Sequence, residues 1–188
     1  MYKLWQTKPE LEYPKTKIID IIQHGSSTKT NNPNDIDIAI IYKNTPIKEQ
    51  LTETQKIKMQ LEKHTDKPIH TTPYDYNTFF DEGNFAMHNI LLEGRSIITG
   101  KYFAEKLGFT PHTEIKYTLK GKEKKEKIKF NYTLNGKQKK YGLLKKYGGT
   151  IIAPGLIRIK PEHEQIFKEK LEKQTKITTT KTLIKKQQ

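Results

Sequence analysis

The sequence predicts an α+β protein with an α/β-like core, in two modules at residues 1–109 and 110–188. In the first 100 residues, short β-branched runs alternate with an amphipathic segment, which is typical of a mixed sheet flanked by helices. After Gly100 the pattern changes to Lys-rich segments separated by Asn-Gly, Gly-Gly and Pro-Gly turns. The charge changes at the same point, because residues 1–100 hold 12 Lys and Arg against 13 Asp and Glu, whereas 101–188 hold 23 against 8.

The first module is predicted to contain three strands and several helices. Aliphatic, β-branched runs bounded by polar turn residues predict strands at 18–23, 35–42 and 67–72. Apolar residues at helical spacing among charges predict a helix over 46–64. One or two further helices are expected in 74–100 and a short one in 101–108. Residues 1–16 are expected to form an irregular arm that packs through Trp5.

The second module is predicted to be a small basic α+β domain that follows a link at Thr110–Pro111. Two segments alternate Lys with Ile, Phe or Tyr, and this period of two predicts strands at 115–119 and 127–134. The charged residues 120–126 would form the turn between them. Later elements are strands at 156–159 and 182–184 and an amphipathic helix over 162–174.

Composition excludes several classes of protein and site. The absence of cysteine excludes a disulfide framework, a thiolate zinc site and a cysteine nucleophile. No apolar run approaches the roughly 20 residues of a membrane span, and the N-terminal residues lack the apolar core of a secretory signal. With a mean hydropathy of -0.84, the expectation is a soluble cytoplasmic protein without a membrane partner.

All of the excess positive charge, +14 for the chain, lies in residues 101–188, which carry +15 against -1 for residues 1–100. Such an asymmetry predicts a basic module that faces a polyanion, and RNA is the expected partner. The alternative is that a Lys-rich, Cys-free sequence reflects genome composition or thermal adaptation.

Two motifs in the first module suggest phosphate and metal chemistry. Gly25, Ser26 and Ser27 follow a predicted strand, where a flexible glycine and main-chain N–H groups can approach phosphate oxygens. Asp35 and Asp37 open the next strand, and the strand period of two places both carboxylates on one face. Two hard oxygen ligands on one face suit Mg²⁺. Either motif alone would be an ordinary turn or a solvated strand, but their conjunction is much rarer.

The segment IIDIIQHGSSTKTNNPNDIDIAIIY resembles the signature of the polymerase beta superfamily, and within it the minimal nucleotidyltransferases. The resemblance extends through PIHTTPYDYNTFF and NILLEGRSIITG and covers about residues 17–100. It implies a nucleotidyltransferase-fold mixed sheet, with Gly25, Ser26 and Ser27 binding nucleotide phosphates and with Asp35 and Asp37 as catalytic metal ligands. The remaining sequence is similar to a basic C-terminal extension of some archaeal members.

The third carboxylate of active family members is not evident in this sequence. Its position falls near His70, which is a candidate catalytic residue because a neutral imidazole accepts a proton, although it is a poorer Mg²⁺ ligand than a carboxylate. A local structural role for His70 is an equal alternative. Asp66 and Asp75 flank the third strand and are further candidates. Whether the protein is an active enzyme therefore depends on what completes the site.

Two further sets of residues are candidates for binding. Arg95 is a candidate nucleotide-binding residue, because guanidinium binds phosphate bidentately, and a role at a helix end is the alternative. Aromatic and Lys side chains of the predicted strands would form a face that stacks bases and binds phosphates; these candidates are Lys116, Tyr117, Lys127, Lys129 and Tyr132. The alternative places the aromatics in the core and the lysines in solvent.

The leading functional prediction is a Mg²⁺-dependent nucleotidyltransferase that moves a nucleoside monophosphate from an NTP, most simply ATP, to a hydroxyl of RNA or of a protein. The first alternative is an attenuated member of the same fold that binds RNA or a ribonucleoprotein. The second is the antitoxin of a toxin-antitoxin pair, which would have a protein partner.

Overall fold

The computed structural model describes residues 2–30, 32–138 and 140–186. Its contacts divide the chain into two compact units, Met1–Phe109 and Thr110–Gln188, called unit 1 and unit 2 below. Both units combine helices with sheets, and the sheet of unit 1 has parallel and antiparallel neighbours. The predicted α+β class is therefore confirmed.

Unit 1 contains a four-stranded sheet of β1 (Ile18–His24), β2 (Ile36–Tyr42), β3 (Ile69–Asp75) and β4 (Arg95–Ser96). The order of the strands across the sheet is β3-β2-β1-β4. β1 is antiparallel to β2 and to β4, whereas β2 is parallel to β3. The parallel pair needs a crossover, which the helix between β2 and β3 supplies.

Helices cover both faces of this sheet, which explains why its two central strands are almost uniformly apolar. On one face, Ile38 and Ile40 pack with Leu61 of α2 (Ile47–Glu62) and with Leu4 of the short helix α1 (Leu4–Thr7). On the other face the apolar residues of the strands pack against α3 (Phe85–Glu93) and α4 (Phe103–Lys106). The predicted N-terminal arm thus contains one helical turn, and its Leu4 is buried in the core.

Unit 2 is built on a second four-stranded sheet of β5 (Phe109–Tyr117), β8 (Thr150–Ala153), β9 (Leu156–Ile159) and β10 (Ile177–Lys185). The order of the strands across the sheet is β10-β5-β9-β8, and β9 is antiparallel to both β5 and β8. The helices are α5 (Lys124–Asn135), α6 (Leu143–Tyr147) and α7 (Glu164–Leu171). Between α5 and α6 lies a small antiparallel hairpin of β6 (Gly136–Lys137) and β7 (Lys140–Tyr141).

Two expectations for this half of the chain are wrong. Thr110–Pro111 lies at the boundary between the units but is not an irregular link, because both residues belong to β5. The predicted strand 127–134 is the helix α5, which starts at a capping box formed by Glu123 and Glu126. Phe130 and Leu134, four residues apart, are its buried residues, so the alternation of Lys with apolar residues also fitted one narrow helical face.

None of the helices in the described part of the chain is long and apolar enough to cross a membrane.

Candidate functional site

The β-sheet register brings three polar residues side by side at one end of unit 1. His24 of β1 lies opposite Asp37 of β2, and Asp37 lies opposite His70 of β3. Directly paired residues on neighbouring strands project to the same face of a sheet. The sheet therefore presents a row of His24, Asp37 and His70 across its three neighbouring strands.

The loop after β1 runs directly against the Asp37 carboxylate. Gly25 has a φ of +72°, in the left-handed region that favours glycine, and a Cβ at this position would lie 2.5 Å from Asp37 Oδ2. No other residue type fits here without displacing the carboxylate. The Gly-Ser motif and the second aspartate of the Asp-Ile-Asp motif, which are 12 positions apart in the sequence, are thus neighbours in the fold.

The two serines of the loop have different environments. Gly25–Thr28 forms a 3₁₀ turn in which Ser26 is exposed and Ser27 is fully buried. The Ser27 hydroxyl donates to the carbonyl of His24 (3.0 Å) and accepts from the Gln23 amide (3.0 Å). Its hydroxyl thus holds the loop in place, which leaves the exposed Ser26 as the side chain of the pair that faces solvent.

An ion pair fixes the far end of the same loop. Lys29 Nζ lies 2.6 Å from Oε2 of Glu93, a buried residue at the end of α3. The loop is therefore held at both ends, by Ser27 at the sheet and by Lys29 at α3. Ordering of this kind lowers the entropy that a loop loses when it binds a ligand.

Asp35 and His70 lie at the open edge of the row. Asp35 immediately precedes β2, and its Oδ2 is 3.9 Å from His70 Nε2. The His70 side chain is 64% exposed and that of Asp35 is 42% exposed, so both can reach a ligand in solvent. Asp35, Asp37 and His70, which the sequence predicts as catalytic, therefore lie on two adjacent strand ends.

His24 lies beside Asp37 in the sheet but was not predicted from the sequence as a candidate site residue. Burial lowers its pKa, an effect that the neighbouring Asp37 partly opposes. The imidazole is therefore neutral at pH 7 and lies beside a carboxylate. The available signal was its position at the end of β1 directly before Gly25. The Asp37 carboxylate also affects Tyr74 of β3, whose pKa is raised mainly by burial and in smaller part by the charge of Asp37.

A third carboxylate does not complete the site within residues 2–30, 32–138 and 140–186, where no three acidic or histidine side chains converge as a metal-binding group. Asp75 lies five residues along β3 from His70, about 16 Å away at 3.3 Å per residue, and its carboxylate accepts from the Asn77 N–H. Asp66 is exposed in the turn before β3. Asp35 and Asp37 are therefore the acidic residues of this site.

Arg95 is directed away from this row. It pairs with Gln23, the neighbour of His24, so its side chain projects to the opposite face of the sheet. There the guanidinium stacks on two rings, 3.4 Å from the Tyr102 centroid and 4.6 Å from the Trp5 centroid. Burial lowers the pKa of Arg95 and raises that of Tyr102 to about 12. This geometry favours a structural role for Arg95.

The five predicted nucleic-acid residues do not share one sheet face. Lys116 is exposed on β5, whereas the next residue, Tyr117, packs on the core residue Phe130 with ring centroids 4.7 Å apart. The other three belong to α5 and are exposed, and they are Lys127, Lys129 and Tyr132. For Tyr117 the structure agrees with the alternative prediction, in which the aromatic side chain packs against the core.

Comparisons of the chain with protein-family models, with curated proteins and with solved structures gave no match. The resemblance of residues 17–100 to the nucleotidyltransferases therefore stays a prediction from the motifs and their spacing.

Proposed function

We propose that this protein is a Mg²⁺-dependent nucleotidyltransferase, which moves a nucleoside monophosphate from an NTP such as ATP to a hydroxyl of an RNA or protein acceptor. The observation that carries this proposal is the close approach of Gly25 to Asp37 Oδ2. Nucleotidyl transfer needs a backbone cradle for the triphosphate beside carboxylates that hold metal, and a glycine turn beside the Asp37 carboxylate supports that assignment.

The donor set of the site suits Mg²⁺ that arrives with its nucleotide. Mg²⁺ is commonly bound by one or two carboxylates, with water and substrate phosphates as the remaining ligands. Asp35 and Asp37 would hold the ion from the protein side, and the turn that contains the exposed Ser26 would face the phosphates. When bound, Mg²⁺ would neutralise the leaving pyrophosphate and lower the pKa of the acceptor hydroxyl.

The two histidines of the row are the candidate proton acceptors. His70 is 64% exposed beside Asp35, so its imidazole can reach an incoming hydroxyl. His24 is half-buried and is held neutral by burial, which lowers its pKa. An acceptor molecule has to enter from solvent, where His70 is the more exposed histidine of the two. We therefore assign His70 as the residue that takes the proton of the acceptor hydroxyl.

Release of pyrophosphate from an NTP with Mg²⁺, in the presence of RNA or of the protein itself as acceptor, tests the proposal. Asp35→Asn and Asp37→Asn should each reduce release by about 100-fold or more, because both lose charge at the metal. Asp75→Asn is the matched control, since it makes the same change at the far end of β3. Release that is independent of Asp35 and Asp37 would refute the proposal.

A second candidate is a protein that binds a nucleotide without turnover and tethers this fold to RNA or a ribonucleoprotein. The observation that favours it is that no three metal-ligating side chains converge within the described ranges. Titration of ATP and Mg²⁺ into the protein by calorimetry separates the two candidates. Binding that requires Asp37 without any release of pyrophosphate would favour this one.

A further inference from the structure

Helix α5 exposes most of its surface and buries only Phe130 and Leu134. At 100° per residue, Tyr132 projects about 200° round the helix from Phe130, on the opposite side. Residues spaced by three and four positions lie on one helical face. The solvent face centred on Tyr132 is called the basic stripe here, and it consists of Lys125, Ile128, Lys129 and Tyr132.

The β6–β7 hairpin extends this stripe past the end of α5. Gly142 allows the chain after the hairpin to lie against the end of the helix, because a Cβ there would lie 2.4 Å from the carbonyl oxygen of Leu134. Lys137 Nζ lies 5.0 Å from the centroid of the Tyr132 ring. Lys140 pairs with Lys137 and therefore shares its face of the hairpin. The stripe thus continues with two exposed lysines.

The charge of this region identifies the chemistry of its partner. Residues 124–147 contain nine lysines and a single acidic residue, Glu126. The side chains of the stripe, Lys125 and Lys129 among them, are exposed. A surface of this composition attracts a polyanion, and its affinity should depend on salt.

We propose that the basic stripe binds single-stranded RNA, with Tyr132 stacking on an unpaired base and the lysines contacting phosphates. Tyr132 is 44% exposed and Ile128 is 42% exposed, so apolar and aromatic surface lies among the charges. A fully paired helix offers no free base for such stacking, and cellular RNA is rich in unpaired segments. This inference rests on the proposed function in one respect, which is that RNA is taken as the polymer that carries the acceptor hydroxyl.

Tyr141 is the matched control for the stacking residue. It is 68% exposed and, like Tyr132, it has a lysine over its ring, with Lys145 Nζ 4.1 Å from the centroid. It pairs with Gly136, however, and therefore lies on the other face of the hairpin from Lys137. A ligand of the stripe should depend on Tyr132 and not on Tyr141.

Fluorescence anisotropy of the full chain with labelled oligouridylate of about 12 nucleotides tests the stacking step. Tyr132→Ala should weaken binding about fivefold or more, whereas Tyr141→Ala should change it less than about twofold. Both residues are exposed, and circular dichroism would verify that both variants are folded. Equal losses in the two variants, or no loss in either, would overturn the proposal. So would tighter binding of the matching duplex RNA or of oligothymidylate.

The lysines are tested by the salt dependence of the same binding. Replacing Lys125 and Lys129 by alanine should lower the slope of log affinity against log salt by about one for each phosphate that is no longer neutralised. Replacing Lys145 and Lys146 by alanine removes the same charge from α6 and should leave the slope nearly unchanged. An equal fall in both double variants would show a diffuse basic surface and would contradict the stripe.

Failure of this inference can be distinguished from failure of the proposed enzyme. Asp35→Asn and Asp37→Asn should leave the affinity for oligouridylate unchanged, because both residues belong to unit 1 and the stripe belongs to unit 2. Tyr132→Ala should leave the affinity for ATP and Mg²⁺ unchanged. If no oligouridylate binds at about 50 mM salt, the inference fails whatever the pyrophosphate assay gives.

Discussion

Replacing Gly25 by alanine should destabilise unit 1 for two separable reasons. A φ of +72° lies in the left-handed region, which costs an L-residue about 1–2 kcal/mol. The added methyl would also lie 2.5 Å from Asp37 Oδ2, about 1 Å inside normal contact. Overpacking costs about 1–3 kcal/mol, and we take the lower end because the half-buried carboxylate can rotate. The total is about 2–3 kcal/mol, or roughly 10–20 °C in Tm.

Two other glycines of unit 1 separate these contributions. Gly108 has a φ of +84°, and a methyl group added there would have nothing within 4 Å, so Gly108→Ala should lose only the conformational part. Gly83 has neither a positive φ nor a neighbour within 4 Å, so Gly83→Ala should change stability little. The fluorescence of Trp5, the one tryptophan of the chain, reports the thermal unfolding of unit 1.

A stability of Gly25→Ala equal to that of Gly108→Ala would refute the contact between the loop and Asp37. A double-mutant cycle gives a second test. In a protein that already carries Asp37→Ala, which removes the carboxylate, Gly25→Ala should cost only the conformational part. The expected coupling between the two positions is therefore about 1 kcal/mol.

Two further predictions concern pH and the opposite face of the sheet. Burial lowers the pKa of His24 below its ordinary 6.5. The unfolded chain therefore binds a proton that the folded chain does not, and the free energy of unfolding should fall as pH drops from about 7 to 5. Denaturation in urea should show a weaker fall in His24→Gln, and an equal fall would contradict the lowered pKa of His24. Arg95→Lys should lower Tm because it weakens the stacking on Trp5 and Tyr102, worth about 0.5–2 kcal/mol, whereas the affinity for ATP should stay unchanged. A large loss of affinity for ATP at constant Tm would contradict the structural role and would support nucleotide binding by Arg95.

Much of unit 1 could be predicted because the pattern of its strands admits one interpretation. The aliphatic runs of β1 and β2 are buried on both faces, and they match the predicted spans to within a residue. The two-residue strand β4 could not be predicted, since so short a segment has no periodicity. Its pairing with β1 nevertheless decides on which face Arg95 lies.

The error in unit 2 has a specific physical cause. Ile128, Phe130, Tyr132 and Leu134 are spaced by two, which fits one face of a strand, but Phe130 and Leu134 alone also fit one face of a helix. The helix starts with a local contact, in which Glu126 accepts from the Glu123 N–H (3.0 Å). The sequence did not reveal this contact, because a Glu at the N-cap is outside the usual Ser, Thr, Asp or Asn signature.

For the candidate site, the sequence pattern predicted that Asp35 and Asp37 lie near Gly25 but not which other side chains surround them. The strand period places Asp37 on one face of β2, whereas Asp35 immediately precedes the strand. The position of His24 opposite Asp37 requires the register of β1 with β2, which depends on the length and course of the loop between them. Ser27 could not be distinguished from Ser26 by sequence, because burial of its hydroxyl depends on the path of the 3₁₀ turn.

Helix α5 packs on the core of unit 2 through one end only. Both of its buried residues, Phe130 and Leu134, lie in its second half, while Lys124–Lys129 is exposed throughout. Local opening costs least where little apolar packing is disrupted, so the first turns of this helix should open more easily than its second half. A polymer that binds there would order those turns, and the entropy lost in this ordering would reduce its affinity. Such binding favours rapid release of the polymer and tolerates different conformations of the polymer backbone.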